Sequence, residues 1–96
     1  MPVYVQFVTW TEKGAAAARD TLQRTQQARE QAQKFGARLR EVIWTMGRFD
    51  VVAIIEAPND ETASRFALWV GTQGAARTET VRGYTEEEIR KIVEGL

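Results

Sequence analysis

The residues that could carry out chemistry are few, because the 96-residue chain contains no histidine and no cysteine. Their absence excludes disulfides, zinc sites built from cysteine and histidine, thiol nucleophiles, Ser-His catalytic triads and histidine-ligated haem. We therefore expect no metal site and no cofactor. The side chains that remain for binding or catalysis are carboxylates, guanidinium groups, hydroxyls and the indoles of three tryptophans.

Asp50 is the first candidate, since it closely follows a glycine-containing turn between two predicted strands. A carboxylate buried in a pocket can have a raised pKa and act as a general base. An acid at such a position more often accepts hydrogen bonds from backbone N–H groups of the turn. The sequence leaves both roles open, and the structural role is the commoner of the two.

A second group of candidates lies at the end of the first predicted strand and on the last one. Thr9, Trp10 and Thr11 could line the mouth of a pocket with two hydroxyls and an indole N–H. Alternatively, the threonines cap the next turn and Trp10 belongs to an interface. Arg77 could bind a carboxylate or phosphate bidentately, with Thr78 on the opposite face of the strand. The alternative for Arg77 is a salt bridge on the surface or between subunits.

The elements that must position these residues follow from residue type and periodicity. Runs of β-branched and aromatic residues predict four strands, Val3–Trp10, Ala37–Met46, Phe49–Ala57 and Ala75–Tyr84. Helix-forming residues fill the segment from 12 to 35, but a break in it is expected because one helix would be longer than the preceding strand. Gly36 then ends the helix, and Asn59 caps the next one. Thr85 and Glu88 form a capping box for a C-terminal helix.

The order of these elements, β-α-β-β-α-β with an additional C-terminal helix, predicts an α+β fold of the ferredoxin-like kind. We expect a single domain over residues 1–96. In that topology the first and third strands are central, and right-handed crossovers place both long helices on one face of the sheet. The charges agree, since the first strand carries none and the second and fourth carry several, as edge strands do.

The face of the sheet without helices, here called the open face, is predicted to be too apolar for exposure to water. If Val3, Val5 and Phe7 point to the helices, apolar and aromatic side chains of three strands remain on the open face: Tyr4, Val8, Val52, Ile54 and, from the second strand, Trp44 or, in the other register, Ile43. Contiguous apolar patches usually mark interfaces. We therefore predict that this face packs against a second copy of the chain, most simply as a dimer. The alternative is that the C-terminal helix folds back over the open face.

Several stretches of the chain resemble the GYD-domain family. They are Trp44–Val52, which contains the run Gly-Arg-Phe-Asp, Glu56–Ala63, Gly71–Thr80 and Trp10–Gly14. Phe49 stands in that run where the family more often has tyrosine. The resemblance covers nearly the whole chain and implies a ferredoxin-like α+β domain that oligomerises, with an assembly of the dimeric α+β barrel type. It implies no particular reaction.

The overall charge and the short apolar runs limit the partners of the chain. Thirteen basic and thirteen acidic residues give no net charge, so nothing in the charge favours binding to nucleic acid or to an anionic membrane. The longest apolar runs have five residues, whereas a membrane-spanning helix needs about 20. We expect no nucleic-acid partner, no membrane segment and a cytoplasmic location.

The sequence therefore predicts a homo-oligomeric domain that holds a small apolar or aromatic ligand between sheet and helices or at the subunit junction. The alternative is a cofactor-free enzyme of the dimeric α+β barrel type, such as a small monooxygenase or isomerase. That alternative depends on fold analogy. Without histidine, such an enzyme would have to use a few other polar side chains: Asp50, Thr9, Thr11, Arg77 or Tyr84.

Overall fold

The computed structural model describes residues 1–96 and contains one four-stranded antiparallel sheet with two long helices on one face. Its elements in chain order are β1 (Val3–Trp10), α1 (Glu12–Ala16), a 3-10 turn (Ala18–Asp20), α2 (Thr21–Lys34), β2 (Arg38–Trp44), β3 (Val51–Glu56), α3 (Asp60–Thr72), β4 (Ala76–Gly83) and α4 (Glu86–Val93). The strand order β2-β3-β1-β4 places β1 and β3 in the centre. The predicted α+β ferredoxin-like fold is confirmed.

The helix ends follow the predicted capping chemistry. The Asn59 side chain accepts a hydrogen bond from the Thr62 amide at 2.9 Å, which satisfies a free N–H at the start of α3. Thr85 and Glu88 form the predicted capping box of α4. Gly36 ends the α2 segment with φ +86°, a conformation that glycine adopts without strain. The predicted break in the first helical segment is also present, as the 3-10 turn between α1 and α2.

The loop between β2 and β3 is longer than predicted and leaves Phe49 outside β3. The loop closes where the Thr45 amide donates to the Asp50 carbonyl at 2.9 Å. The Thr45 hydroxyl also donates to the Phe49 carbonyl at 2.6 Å. Phe49 then packs on Phe7 of β1, with 4.8 Å between the ring centroids. The loop therefore adds an aromatic side chain to the central strands.

The hydrophobic core lies between the helices and one end of the sheet. Its largest members, Phe66 of α3, Ile55 of β3 and Tyr4 of β1, are almost completely buried. Four alanines complete the cluster: Ala32, Ala37, Ala57 and Ala63. Because these alanines are small, the helices can approach the sheet closely at this end, and the interior is filled.

The face of the sheet beneath α2 and α3, here called the covered face, contains different residues of β1 from those predicted. Tyr4 lies opposite Ile55, and Val8 lies opposite Val51, both of which point to the helices. Tyr4 and Val8 are accordingly buried, so their predicted place on the open face is wrong. The prediction failed because β1 is apolar on both faces, and alternation alone cannot tell which face is covered.

The open face holds the other set of β1 residues. Val5 and Phe7 are half-buried and lie opposite Ile54 and Val52 of β3, which the sequence analysis had placed on this face correctly. On the edge strands the neighbouring side chains on this face include Ile43, Val81, Glu41 and Glu79. The open face therefore has an apolar centre and charged margins.

The helix α4 does not cover the open face. It makes hardly any contact with the other elements. Its apolar residues Ile89, Ile92 and Val93 keep 40–49% of their surface exposed. The alternative in which the C-terminal helix folds back over the sheet is therefore wrong. No helix of the chain, α4 included, combines the length and apolar content needed to cross a membrane.

Candidate functional site

A cavity of about 390 Å³ lies between the covered face and the helices α2 and α3, beside the filled core. Val8 and Trp10 of β1 and Ala53 of β3 form its floor. Hydrophobic residues make up 13 of the 22 that line it. The exposed residues Gln23 and Gln27 of α2 lie at its rim, where solvent can enter. Its size and mainly apolar lining are typical of a pocket for a small organic molecule.

The cavity exists because small side chains from several elements meet at this part of the interface between helices and sheet. Ala28 of α2, Ala53 of β3, and Ala75 and Ala76 at the start of β4 all line it. None of these residues has the side-chain volume to fill the space in front of it. At the other end of the sheet, Ile55 and Phe66 supply that volume, and the interior is solid.

Three aromatic side chains line the cavity: Trp10, Phe66 and Trp69. Phe66 and Trp69 stack with 6.2 Å between their centroids and 17° between their planes. The guanidinium of Arg24 lies 5.9 Å from the Trp10 ring and donates to the Ala17 carbonyl at 2.7 Å. Because these rings are held by their neighbours, they offer flat apolar walls without a large loss of side-chain entropy on binding.

Gln6 provides a buried polar group to the cavity. Its side chain is 3% exposed and lines the floor between Val8 and the core. One end of its amide bonds the Thr80 hydroxyl at 3.4 Å, and the other end has no protein partner. Whichever way the amide is turned, one hydrogen-bonding atom stays free for a ligand or a water molecule. Gln6 can thus give a ligand one polar contact at the floor of the cavity, in addition to polar side chains elsewhere in the lining such as Lys13, Asp20 and Arg24.

Asp50 does not face the cavity. Its Oδ2 atom accepts a hydrogen bond from the Trp10 amide at 2.8 Å, and its own amide donates to the Val8 carbonyl at 2.9 Å. The carboxylate therefore joins the β2–β3 loop to the end of β1. Of the two roles that the sequence left open, the structure shows the structural one.

Thr11 also has a structural role, as the N-cap of α1. Its hydroxyl accepts from the Gly14 amide at 3.2 Å and donates to the Gly74 carbonyl at 2.7 Å. Its amide donates to the Ala75 carbonyl at 3.1 Å. These bonds connect the first turn after β1 to the start of β4 and close one end of the cavity. Trp10, the residue before Thr11, lines the cavity as the sequence analysis proposed.

The remaining predicted ligand-binding residues are not gathered at the cavity. Thr9 and Arg77 are exposed and lie opposite each other on the margin of the open face. Thr78 lies on the covered face, but it lines a different groove. The structure thus brings Trp10 alone, of the six predicted residues, to the cavity.

Trp44, one of the predicted interface residues, lies on the covered side of the sheet. It is opposite Val51, and its indole N–H donates to the Thr21 hydroxyl at 2.9 Å. Of the two registers that the sequence left open, the structure has the one that places Ile43, and not Trp44, on the open face. The bulge in β2 between Leu39 and Glu41 shifts the register, and a bulge cannot be located by counting alternate residues.

A second depression, here called the edge groove, lies between α3 and β4 and is lined by Tyr4, Asp60, Ser64, Ala67, Leu68, Thr78, Thr80 and Arg82. The Tyr4 hydroxyl donates to Asp60 Oδ1 at 2.5 Å. Burial, together with this hydrogen bond to Asp60, raises the pKa of Tyr4 to about 12. Arg82 lies above the Tyr4 ring, 5.7 Å from its centroid, and pairs with Glu88 at 3.1 Å. The groove is about 510 Å³ in volume and opens to solvent along its outer side.

The sequence analysis missed most of the residues that form the cavity. Gln6 is the clearest case. The available signal was a glutamine in the middle of a central strand that carries no charge, because such a polar residue is buried only with a partner or beside a cavity. Phe66 was predicted as a core residue of α3, and it serves both the core and the cavity wall.

Comparison with known families is consistent with this architecture. The GYD domain family model matches residues 4–93, nearly the whole chain. Comparison with curated proteins and with solved structures gives no match. The matched region includes all four helices and, except for Val3 at the start of β1, all four strands, so the chain belongs to the GYD-domain family.

Proposed function

We propose that this protein is a homo-oligomeric ligand-binding domain whose cavity holds a small apolar or aromatic molecule. The observation that carries the proposal is the 390 Å³ cavity between the covered face and the two long helices. A filled interior would have supported a purely structural role. Pockets of about 300–1,000 Å³ with apolar walls and a few polar groups are typical of sites for small molecules.

The chemistry of the walls defines the class of ligand. Trp10, Phe66 and Trp69 favour flat rings, which can stack or pack edge to face on them. The free end of the Gln6 amide favours one hydrogen-bonding group on the ligand, such as a hydroxyl or a ring N–H. We therefore expect a molecule of one or two rings with at least one polar substituent.

The enzyme alternative has no comparable support. Asp50 and Thr11 hold backbone groups, while Thr9 and Arg77 lie on the margin of the open face. Tyr84 follows β4 and lies 4.6 Å from the Arg82 guanidinium. None of these five side chains lines the cavity. Binding without chemistry is thus the function that the geometry favours.

The assembly is proposed to form by packing of two open faces. Val5, Phe7, Val52 and Ile54 form an uninterrupted apolar centre on the two central strands. Both margins carry charges of both signs, Arg38 and Glu41 on β2, and Arg77 and Glu79 on β4. Two such faces related by a two-fold axis bring the apolar centres together and place charged side chains at the rim. The unpartnered apolar side of α4 adds surface that a second copy can bury.

The ligand proposal is tested with indole and 1-naphthol as probes, because each has rings and one polar group. We expect both to raise the thermal midpoint and to shift the NMR signals of Gln6, Ala53 and Trp69. Ala28→Leu fills part of the cavity. It is expected to weaken the binding of both probes at least tenfold, so that the rise in thermal midpoint and the NMR shifts become smaller. Ala16→Leu makes the same change at an exposed position of α1 and serves as the control. Equal binding to both variants, or no binding at all, would contradict the proposal.

The assembly is tested with Ile54→Lys at the centre of the open face. Burying an unpaired ammonium there is strongly unfavourable, so sedimentation should show dissociation of the copies. Leu22→Lys makes the same chemical change on the outer side of α2, where the residue is 71% exposed. It should leave the sedimentation coefficient unchanged. An Ile54→Lys protein that sediments like the wild type would exclude the open face as the interface.

A further inference from the structure

The edge strand β4 has the features of a strand that pairs with another one. It is eight residues long, pairs with β1 along its whole length, and has no bulge and no proline. The opposite edge strand, β2, is interrupted by a bulge, although both edge strands carry three charged residues. Natural proteins protect free edges with bulges and charges of that kind. The β4 edge lacks the bulge, and its charges follow a pattern that favours pairing.

The charges on β4 are complementary to those of a second β4 strand. Arg77 and Glu79 are exposed, point to the same side of the sheet, and have no ion-pair partner within the chain. In an antiparallel pair centred on Thr78, Arg77 of each copy lies opposite the partner's Glu79, so two ion pairs form. A pair centred on Arg77 or on Glu79 would instead bring two like charges together. The charge pattern thus specifies one register.

The edge groove provides space and apolar surface for the same partner. Leu68 of α3 is 72% exposed and overhangs the groove beside Thr78 and Thr80. When a second β4 lies along the edge, the two α3 helices come side by side on the covered side of the sheet. Leu68 of each copy is then shielded from water, which stabilises the contact.

We propose that β4 pairs antiparallel with β4 of a second copy, centred on Thr78, so that two sheets join into one sheet of eight strands. The two-fold axis is perpendicular to the sheet, and the helices of both copies lie on the same side. This contact uses the strand edge and is independent of open-face packing. If both contacts form and their two-fold axes intersect at right angles, four copies close into an assembly with dihedral symmetry.

The register is tested by single cysteines, which are unambiguous because the chain has none of its own. Directly opposed residues of antiparallel strands have Cα atoms about 4.5–5.5 Å apart, within disulfide range. Thr78→Cys should therefore give a disulfide-linked dimer under mild oxidation. Thr80→Cys is the control, since in this register residue 80 is four residues, or about 13 Å, from its own copy. Cross-linking of the Thr80→Cys protein, or of neither variant, would overturn the proposal.

Charge reversal gives a second test that needs no oxidation. Arg77→Glu and Glu79→Arg each bring like charges together at both positions, so each variant alone should self-associate about tenfold more weakly. An equimolar mixture of the two variants restores opposite charges at both positions and should recover the wild-type sedimentation coefficient. No recovery in the mixture would overturn the proposal and leave the edge free for an extended segment of another protein. Failure of open-face packing would change neither cysteine result, because Thr78 lies on the covered face.

Discussion

Two alanine-to-leucine substitutions on α2 can distinguish the cavity from the packed core. Ala28 lines the cavity, whereas Ala32, one turn later on the same helix, is completely buried in the core. Both changes add the same three carbon atoms and make the same change in helix propensity. Any difference in stability between the variants therefore reports the space in front of each side chain.

The magnitudes follow from the volume of the cavity. If each added carbon atom takes about 30 Å³, which is the volume of one water molecule in the liquid, the three carbon atoms of the substitution occupy roughly 90 Å³. That is less than a quarter of the 390 Å³ cavity. At about 0.8 kcal/mol per buried methylene, Ala28→Leu is expected to leave the free energy of unfolding unchanged or to raise it by up to about 2 kcal/mol. Ala32→Leu has no such space and should lower it by about 1–3 kcal/mol.

Urea unfolding followed by circular dichroism measures both free energies under the same conditions, and equal slopes confirm that the two transitions are comparable. The expected gap between the variants is about 1–5 kcal/mol, since Ala28→Leu does not lower the free energy of unfolding and Ala32→Leu does. If Ala28→Leu destabilises the protein as much as Ala32→Leu does, the space beside Ala28 is absent in solution. That result would contradict a ligand site at this position.

Three further predictions concern the residues that hold the cavity in place. Gly14→Ala should lower the free energy of unfolding in urea by about 1–3 kcal/mol, because the added Cβ would overlap the Ala75 carbonyl oxygen. An unchanged free energy of unfolding would contradict this close contact. Asp50→Ala should cost about 1–3 kcal/mol, since it leaves the Trp10 amide unpaired, and Asp50→Asn should cost less. The stability advantage of the wild type over Tyr4→Phe should shrink as pH rises from 10 to 12, because the unfolded phenol ionises before the folded one, whose pKa is about 12. A constant difference across that range would contradict the assigned pKa.

The order of the elements was predictable because it depends on local signals. Asn59, Thr85 and Gly36 act within one turn of chain, and their effects do not depend on distant residues. Central strands with few charges and edge strands with several then indicated the ferredoxin-like sheet. These features together predicted the fold correctly.

The face of β1 and the cavity were not predictable, because both depend on pairing between distant residues. Val5 and Val8 are equally apolar, and only the register with β3 shows that Val8 is covered and Val5 is open. The cavity results from the small volumes of Ala28 and Ala53, which are 25 positions apart in sequence. A single sequence shows that each residue is small, but it does not show that they face the same space.

The two parts of the proposed function, a ligand and a second copy, can be tested in one measurement. Native mass spectrometry of the protein purified from its own host reports the number of subunits and any retained small molecule together. The account predicts an oligomer with an even number of chains, and an additional mass consistent with a small aromatic compound on each chain. A bare monomer would contradict both the open-face assembly and the ligand-filled cavity.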